Sequence, residues 1–412
     1  MKTVGMPLSM DSKTSKHVPC SATGETALGM EASSSVSPRH QRCLDAIAGR
    51  AVDRAPTYIP GIACSVASQI LGRKAYTGTH SLHYAEVLAW WNGEAAHAEF
   101  EAQLSEDLLS IHRALDIDVY RFPWRMSVKP FAHPDENTFL IGDPDGDYGV
   151  WKYVPESVSF GMVEHHRAIP PTEDDLKQEV EKMEAWLAEE SGTPPSLSAG
   201  YIESAQALNQ EFFVPFNGGS IAVPLDEENL MAMLLEPELV SRKLMVQAGA
   251  GIRWAEALAA SPLPKVMLGG GDMADNRGPV YSQACFQEVV LPAYRRLLGR
   301  CAELGVHYVF RTDGNLWPVA DLLFGEAGCP GYGETDRDAG MTMGELRKHF
   351  PRLVVWGNVS SSLLQQGTAR QVKEESRRIL DESGGTGYFQ GCSNAIIVGT
   401  PPENVEAMFS VR

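Results

Sequence analysis

Short apolar runs and amphipathic stretches alternate along most of the chain. Strand-like runs, rich in β-branched and aromatic residues, occur at 57–62, 118–124, 212–217, 265–270, 306–311, 329–333, 352–357 and 386–391. Stretches with apolar residues at helical spacing separate most of these runs. Such alternation predicts parallel strands joined by helical crossovers, and about eight repeats favour an α/β fold of the (β/α)8 TIM-barrel type over an open sheet.

Two segments depart from this alternation. Residues 1–38 are rich in Ser, Thr, Gly and Met and have no periodicity, which predicts a disordered N-terminal leader. Residues 126–168 contain apolar runs around a Pro144-Asp145-Gly146 turn, which predicts a β-hairpin insertion after strand 2. We therefore expect one barrel over 39–412, with the insertion as a lid or an interface at the carboxyl ends of the strands.

Composition narrows the classes of protein that fit the chain. The 412 residues carry a net charge of −18, which gives no electrostatic support for binding nucleic acid or an anionic membrane. The 7 cysteines are scattered and form no Cys-x-x-Cys pair, so we expect free thiols in a reducing cytoplasm. No apolar run reaches the roughly 18 residues that a membrane span needs. A cytoplasmic protein is therefore predicted.

Polar residues at the ends of the predicted strands are candidates for function. In a (β/α)8 barrel the carboxyl ends of the strands meet at one mouth. The residues predicted to converge there are Arg121, Asp272, Arg311, Asp313, Asn358 and Cys392, and the loop after 306–311 adds Asn315. Two arginines in one mouth favour a carboxylate or phosphate ligand, held by bidentate hydrogen bonds.

Three of these candidates also have a structural interpretation. Asp313 could neutralise Arg311 as an ion pair instead of acting as an acid or base. Asp272 could cap the following turn instead of assisting proton transfer. Cys392 could be a buried small residue instead of a thiolate beside Arg311. Spacing alone leaves all three alternatives open.

A series of short motifs runs through the second half of the chain. The motifs are Gly270-Gly271-Asp272-Met273, Arg277-Gly278-Pro279-Val280-Tyr281-Ser282, Asp313-Gly314-Asn315, Ala339-Gly340-Met341, Trp356-Gly357-Asn358 and Pro401-Pro402-Glu403-Asn404-Val405. In order and spacing the series resembles the uroporphyrinogen decarboxylase (URO-D) superfamily. That superfamily includes the decarboxylase and methyltransferases that act with corrinoid proteins, coenzyme M or folates. The resemblance implies a (β/α)8 barrel and extends loosely to Asp53-Arg54-Ala55-Pro56.

The motifs of the decarboxylase branch are absent from this sequence. The resemblance implies an Arg-rich run after the first strand, where the chain has Ile59-Pro60-Gly61-Ile62-Ala63-Cys64. It implies an acid after the second strand, where the chain has Tyr120-Arg121-Phe122-Pro123-Trp124. It also implies a Gly-His near the last strand, where the chain has Gly391-Cys392. These differences disfavour uroporphyrinogen as the substrate.

The metal ligands of the zinc-dependent methyltransferases are only partly present. The resemblance implies a His-x-Cys after strand 5 and a Cys after strand 8. This chain has Arg311 and Asp313 at the first two positions and keeps Cys392 at the third. Because arginine stays protonated, it does not ligate a metal. We therefore expect no zinc site of that type and no tightly bound cofactor.

The sequence as a whole predicts a methyltransferase of the URO-D superfamily that acts on a small anionic substrate, with a corrinoid-binding protein or a folate as methyl partner. The predicted catalytic residues are Asp272, Asp313 and Cys392, and the predicted substrate-binding residues are Arg121, Arg277, Arg311, Asn315 and Asn358. Two alternatives are a decarboxylase of uroporphyrinogen or another multi-carboxylate, and a non-catalytic corrinoid- or tetrapyrrole-binding protein. A homodimer is left open.

Overall fold

A computed structural model describes residues 37–167, 173–188 and 197–412. The predicted leader therefore lies outside the described residues, except for its last two positions. The helices are α1 (Pro38–Ile47), α2 (Cys64–Leu71), α3 (Thr79–Trp91), α4 (Glu94–Ala114), α5 (Glu173–Ala188), α6 (Ala199–Asn209), α7 (Glu227–Leu235), α8 (Pro237–Ala260), α9 (Gln283–Cys285), α10 (Leu291–Glu303), α11 (Trp317–Ala320), α12 (Met343–His349), α13 (Ser361–Gln366), α14 (Ala369–Ser383) and α15 (Pro402–Phe409). No helix in the described ranges combines the length and apolar character needed to cross a membrane.

The strands form a parallel α/β sheet, a separate antiparallel sheet and a small two-stranded ribbon. They are β1 (Pro130–Asp135), β2 (Thr138–Gly142), β3 (Tyr148–Val154), β4 (Ser159–His166), β5 (Phe216–Ser220), β6 (Val266–Gly270), β7 (Ala274–Asp275), β8 (Gly278–Pro279), β9 (His307–Arg311), β10 (Gly331–Thr335), β11 (Val354–Val359) and β12 (Tyr388–Cys392). The parallel sheet has 6 strands in the order β12-β11-β10-β9-β6-β5. The alternation of apolar runs and helices along the sequence therefore corresponds to a parallel α/β fold.

The two strands predicted at 57–62 and 118–124 are not regular strands. Thr57 makes a single parallel bridge to Gln390, and Tyr58 makes one to Val119, which in turn bridges to Phe213. The predicted runs contain Pro60 and Pro123, which lack the backbone N–H that a ladder of hydrogen bonds requires. The prolines explain why these runs pair at single residues only.

Side chains on the two faces of the parallel strands pack in two different apolar clusters. Val309 of β9 belongs to an interior cluster, whereas its neighbours Tyr308 and Phe310 pack in the larger cluster that includes most of the helices. The members of the interior cluster are Cys43, Ala46, Tyr58, Val119, Phe213, Val266, Leu268, Val309, Val354, Trp356 and Phe389. Trp356 and Phe389 stack with ring centroids 3.9 Å apart.

Helix α1 is anchored to the sheet by a buried carboxylate. Cys43 and Ala46 of α1 are fully buried in the interior cluster. Beside them, the Asp118 carboxylate accepts from Arg42 Nη1 at 2.5 Å and from the Thr57 backbone N–H at 2.9 Å. Arg54 Nη1 lies 2.9 Å from the second oxygen of the same carboxylate. Asp118 therefore joins the N-terminal helix to the first extended segment.

Residues 130–166 form the 4-stranded antiparallel sheet, in the order β1-β2-β3-β4. This sheet lies in the sequence between the Val119 bridge and β5, within the region predicted to hold a hairpin insertion. It has its own small core, in which Phe139, Trp151 and Phe160 pack with Val87 of α3. A position over the mouth remains a prediction.

Candidate functional site

Two arginines and one glutamate converge at the carboxyl ends of the parallel segments. Arg121 follows the bridged residue Val119, Arg311 ends β9, and Glu334 lies near the end of β10. Nη1 of Arg121 is 3.5 Å from Glu334 Oε1, and Nη1 of Arg311 is 3.4 Å from the same oxygen. The exposed fraction of the side chain is only 12% for Arg121, 23% for Arg311 and 21% for Glu334. We call this group the Arg–Glu–Arg cluster.

A β-bulge aims Glu334 at the two arginines. The pairing of β10 with β11 shifts between Gly333, opposite Trp356, and Thr335, opposite Gly357, so Glu334 is an extra residue on its strand. Its backbone φ is +62°, a left-handed value that is unfavourable for a residue with a Cβ. Strain of this kind costs on the order of 1–3 kcal/mol and is concentrated at functional sites.

Gly333 makes room for the Arg311 side chain. A Cβ atom at Gly333 would lie 3.2 Å from Arg311 Cγ and 3.3 Å from Val309 Cγ1. Val309 belongs to the interior cluster, so Gly333 lies on the face of the sheet that packs in this cluster. Regular alternation would turn the Glu334 side chain to the opposite face. The bulge reverses that expectation and brings the carboxylate to the same side as Arg311.

The cluster has more positive than negative charge. Burial lowers the pKa of Arg121 to about 10, and the neighbouring Arg311 adds to the effect, while Glu334 opposes it. Arg121 therefore remains a cation at neutral pH. The Nε atoms of both arginines are buried without a hydrogen-bond partner. Two cations share one carboxylate, which is the arrangement expected of a site that receives an anion.

Asp313 does not neutralise Arg311, so the ion-pair alternative for these two residues is wrong. Arg311 pairs with Glu334, whereas the Asp313 carboxylate accepts from Asn394 Nδ2 at 2.7 Å. Burial raises the pKa of Asp313, and the negative charge of Asp272 raises it further. An aspartate with a raised pKa can keep its proton and act as a general acid.

Asp272 itself is exposed, at the end of β6. Its charge acts on the Asp313 pKa, so the structure brings the two predicted catalytic aspartates into one electrostatic environment. The acid–base role of each residue stays a prediction.

The surroundings of Cys392 favour its neutral thiol over a thiolate. Its side chain is fully buried, and burial raises its pKa to about 12. The thiolate predicted beside Arg311 is therefore disfavoured, and the alternative of a buried small residue agrees better with its surroundings. The Cys392 backbone carbonyl accepts from the Tyr58 hydroxyl at 3.3 Å.

The Asn358 side chain has no hydrogen-bonding capacity left for a substrate. Its Oδ1 accepts from the Met343 backbone N–H at 3.0 Å and from Arg337 Nη1 at 3.5 Å. Its Nδ2 donates to the Met341 carbonyl at 2.8 Å and to Thr335 Oγ1 at 3.2 Å. Asn358 is buried at a φ of +96°, and its contacts are those of a residue that holds loops together.

Asn315 and Arg277 also make structural contacts. Asn315 Oδ1 accepts from the Trp317 backbone N–H at 3.0 Å, and its Nδ2 donates to the Arg277 carbonyl at 3.4 Å. The Arg277 side chain is 91% exposed and pairs with Asp275 at 2.7 Å. The exposed Arg277 is thus not part of the partly buried Arg–Glu–Arg cluster. Arg277 and Asn315 nevertheless both lie in loops that follow parallel strands.

Glu334 and Asn394 were not among the residues predicted from the sequence. The sequence did place Glu334 among the possible candidates, because it directly follows the predicted run 329–333, just as Arg311 ends the run 306–311. Alternation alone would have placed its side chain on the opposite face. Among the described residues, no three His, Cys, Asp or Glu side chains are grouped so that they could hold a metal ion.

Three comparisons relate the chain to known proteins. Residues 227–412 match the family model described as uroporphyrinogen decarboxylase (URO-D). A uroporphyrinogen decarboxylase from Methylobacillus flagellatus is 28% identical over 177 residues, which are 42% of this chain and 47% of the relative. The chain thus matches about half the length of that curated relative.

A solved structure of a methyltransferase from Methanosarcina mazei is similar in fold. The TM-score is 0.59 at 16% sequence identity, and the similarity covers 90% of this chain and 97% of the methyltransferase. The fold similarity includes the N-terminal half of the chain, which the family model does not match. Residues 227–412 therefore form a domain of the uroporphyrinogen decarboxylase (URO-D) family, and the motif series and the parallel α/β sheet agree with that assignment.

Proposed function

We propose that this protein is a methyltransferase that acts on a small anionic substrate, with a corrinoid protein or a folate as methyl partner. The observation that carries the proposal is the Arg–Glu–Arg cluster, in which Arg121 and Arg311 share one carboxylate at the strand ends. The fold similarity to a methyltransferase over 90% of the chain supports methyl transfer within the superfamily.

The proposal includes a closed (β/α)8 barrel over residues 39–412, with 126–168 as an insertion. The six strands of the parallel sheet, together with the segments at Thr57 and Val119, would supply the eight strand positions of the barrel. The bridges from Thr57 to Gln390 of β12 and from Val119 to Phe213, just before β5, support this closure. A closed barrel would gather the strand ends into the single mouth that the mechanism needs.

The arginines would orient the substrate for transfer. A carboxylate held by two guanidinium groups has a defined position, and such positioning lowers the entropic part of the barrier to a two-substrate reaction. Because the arginines are mostly buried, their hydrogen bonds to an anion would be stronger than in water.

Asp313 would supply the proton. A methyl group leaves an amine nitrogen, such as that of a folate, more readily when that nitrogen is protonated. Burial and the charge of Asp272 raise the pKa of Asp313, which favours the protonated carboxyl that this step requires. Asn394, which donates to Asp313 at 2.7 Å, would fix the orientation of the carboxyl group.

Decarboxylation of a multi-carboxylate is the second candidate. It is favoured by the family match over 227–412 and by the named activity of the curated relative. The Arg–Glu–Arg cluster would suit a carboxylate substrate of this reaction as well. Against it stands the sequence Ile59-Pro60-Gly61-Ile62-Ala63-Cys64, which lacks the arginines that the resemblance implies for uroporphyrinogen.

An anaerobic assay separates the candidates. The protein is incubated with cob(I)alamin and a methyl-folate, and separately with methylcobalamin and a small thiol acid, while the corrinoid spectrum is followed. A methyltransferase changes the spectrum, and Arg311→Met slows the change, whereas Arg300→Met, an exposed arginine paired with Glu256, does not. An unchanged spectrum in both mixtures would refute methyl transfer, and release of CO2 from uroporphyrinogen would then establish the decarboxylase. Corrinoid binding without turnover would indicate a binding protein.

A further inference from the structure

We propose that Glu334 is a positioning residue that prepares the Arg–Glu–Arg cluster for one singly charged carboxylate group of the substrate. The inference rests on the proposed function to the extent that both concern the same mouth. It concerns ligand charge, however, and can be tested without any methyl transfer. It starts from one geometric fact, namely that Glu334 Oε1 lies 3.4 Å from Arg311 and 3.5 Å from Arg121.

The charge of the cluster selects the charge of the ligand. Two guanidinium cations and one carboxylate leave a net charge of one positive unit. In a partly buried site an uncompensated charge is costly, so a ligand group with one negative charge is the best complement. A doubly charged phosphate would leave one excess negative charge in the site. That charge would lie close to Asp313, whose carboxylate already experiences repulsion from Asp336.

The hydrogen bonding of the cluster agrees with a planar ligand. The contacts of Glu334 with the arginines are at the long end of the hydrogen-bond range, and each involves a single Nη1 atom. Glu334 therefore uses only one N–H group of each guanidinium, and the Nε atoms of Arg121 and Arg311 have no hydrogen-bond partner. A second carboxylate can accept from two guanidinium groups at once through its two oxygens.

The backbone keeps Glu334 in this role. The bulge and the φ of +62° orient its side chain before any ligand arrives, so the carboxylate holds the two cations at a set separation. Without it, the two guanidinium groups would repel each other, as the effect of Arg311 on the Arg121 pKa indicates. Glu334 thus determines both the spacing and the net charge of the site.

The test compares a singly and a doubly charged probe. Binding of propionate and of methylphosphonate, at a pH where the latter is a dianion, is measured by NMR titration for wild type, Glu334→Gln and Glu406→Gln. Glu406 is an exposed glutamate on α15 and serves as the matched control. We expect wild type and the control to bind propionate about tenfold more tightly than methylphosphonate. Glu334→Gln, with two uncompensated cations, should prefer methylphosphonate.

Two outcomes would overturn the inference. One is that wild type binds neither probe, and the other is that Glu334→Gln keeps the wild-type preference. Should Glu334→Gln fail to fold by circular dichroism, Arg311→Gln takes its place, because a cluster without net charge should lose propionate binding at least about tenfold. Glu334→Asp keeps the charge and should keep the preference for propionate. Failure of the corrinoid assay leaves these titrations unaffected, so the two proposals fail separately.

Discussion

Replacing Asp118 by alanine should cost far more stability than replacing Asp53, although both carboxylates bind Arg42. Asp118 is fully buried and lies 2.5 Å from Arg42 and 2.9 Å from Arg54. It also accepts from the Thr57 backbone N–H at 2.9 Å. Asp53 makes two hydrogen bonds to Arg42, at 2.7 and 2.8 Å, but its side chain is 67% exposed.

The expected magnitudes follow from this difference in burial. Asp118→Ala leaves two arginines, 10% and 11% exposed, without their buried partner, and such a change costs about 3–5 kcal/mol. The Thr57 N–H also loses its acceptor, which adds to the cost, whereas Asp116, 3.3 Å from Arg54, compensates in part. An exposed pair contributes about 0.2–1 kcal/mol, so Asp53→Ala should stay within that range.

The measurement is urea unfolding followed by circular dichroism at neutral pH, with both variants and wild type treated alike. Asp118→Asn, which keeps the shape and one acceptor oxygen, should fall between wild type and Asp118→Ala. If Asp118→Ala loses no more stability than Asp53→Ala, then Asp118 is not the anchor of helix α1. In that case the network around Arg42 would be redundant, and burial would not determine the stability that each carboxylate contributes.

Three further predictions concern the Arg–Glu–Arg cluster and its surroundings. Asp313 has a folded-state pKa raised by burial, so its contribution to stability is fully present below the ordinary aspartate pKa and is lost as the pH rises through the raised value. Asp313→Asn should therefore stabilise the protein against urea at neutral pH but not in acid, and an equal effect at both pH values would contradict the raised pKa. Gly333→Ala places a Cβ 3.2 Å from Arg311 Cγ and should weaken propionate binding about tenfold, while Gly299→Ala, with no atom within 4 Å, should stabilise helix α10 by about 0.5–1 kcal/mol and leave binding unchanged in the same titration. Arg311→His combined with Asp313→Cys introduces the two ligand types that the resemblance implies, but Cys392 is a fully buried core residue, so this variant should retain no more zinc after dialysis than wild type, as measured by atomic emission.

Local sequence was sufficient to locate most of the parallel strands. The run predicted at 306–311 is β9 at His307–Arg311, and those at 352–357 and 386–391 are β11 at Val354–Val359 and β12 at Tyr388–Cys392. Strands buried on both faces need continuous apolar runs, and such runs are visible without any knowledge of partners. The runs at 57–62 and 118–124 were overestimated because Pro60 and Pro123 limit their pairing.

Part of the candidate site was also visible in the sequence. Arg121 lies in the second half of the predicted run 118–124 and Arg311 ends the run 306–311, and the rule that parallel strand ends meet at one edge was enough to bring them together. The motif series around Asp313 was enough to suggest the superfamily. These predictions depend on the order of residues along the chain and on one geometric rule, and neither requires the detailed course of a loop.

Only the tertiary structure decided which polar groups face one another. A bulge of one residue turns Glu334 toward the arginines, and no periodic pattern reveals a break in alternation of that size. Asn358 resembled a substrate ligand by position, but its hydrogen bonds go to Thr335, Met341 and Met343, three residues outside its own strand. The sequence by itself determined roughly where most of the parallel strands lie and which polar groups are available near their ends. The direction of each side chain, and the partner that satisfies it, depends on contacts between distant segments and was decided by the packed structure alone.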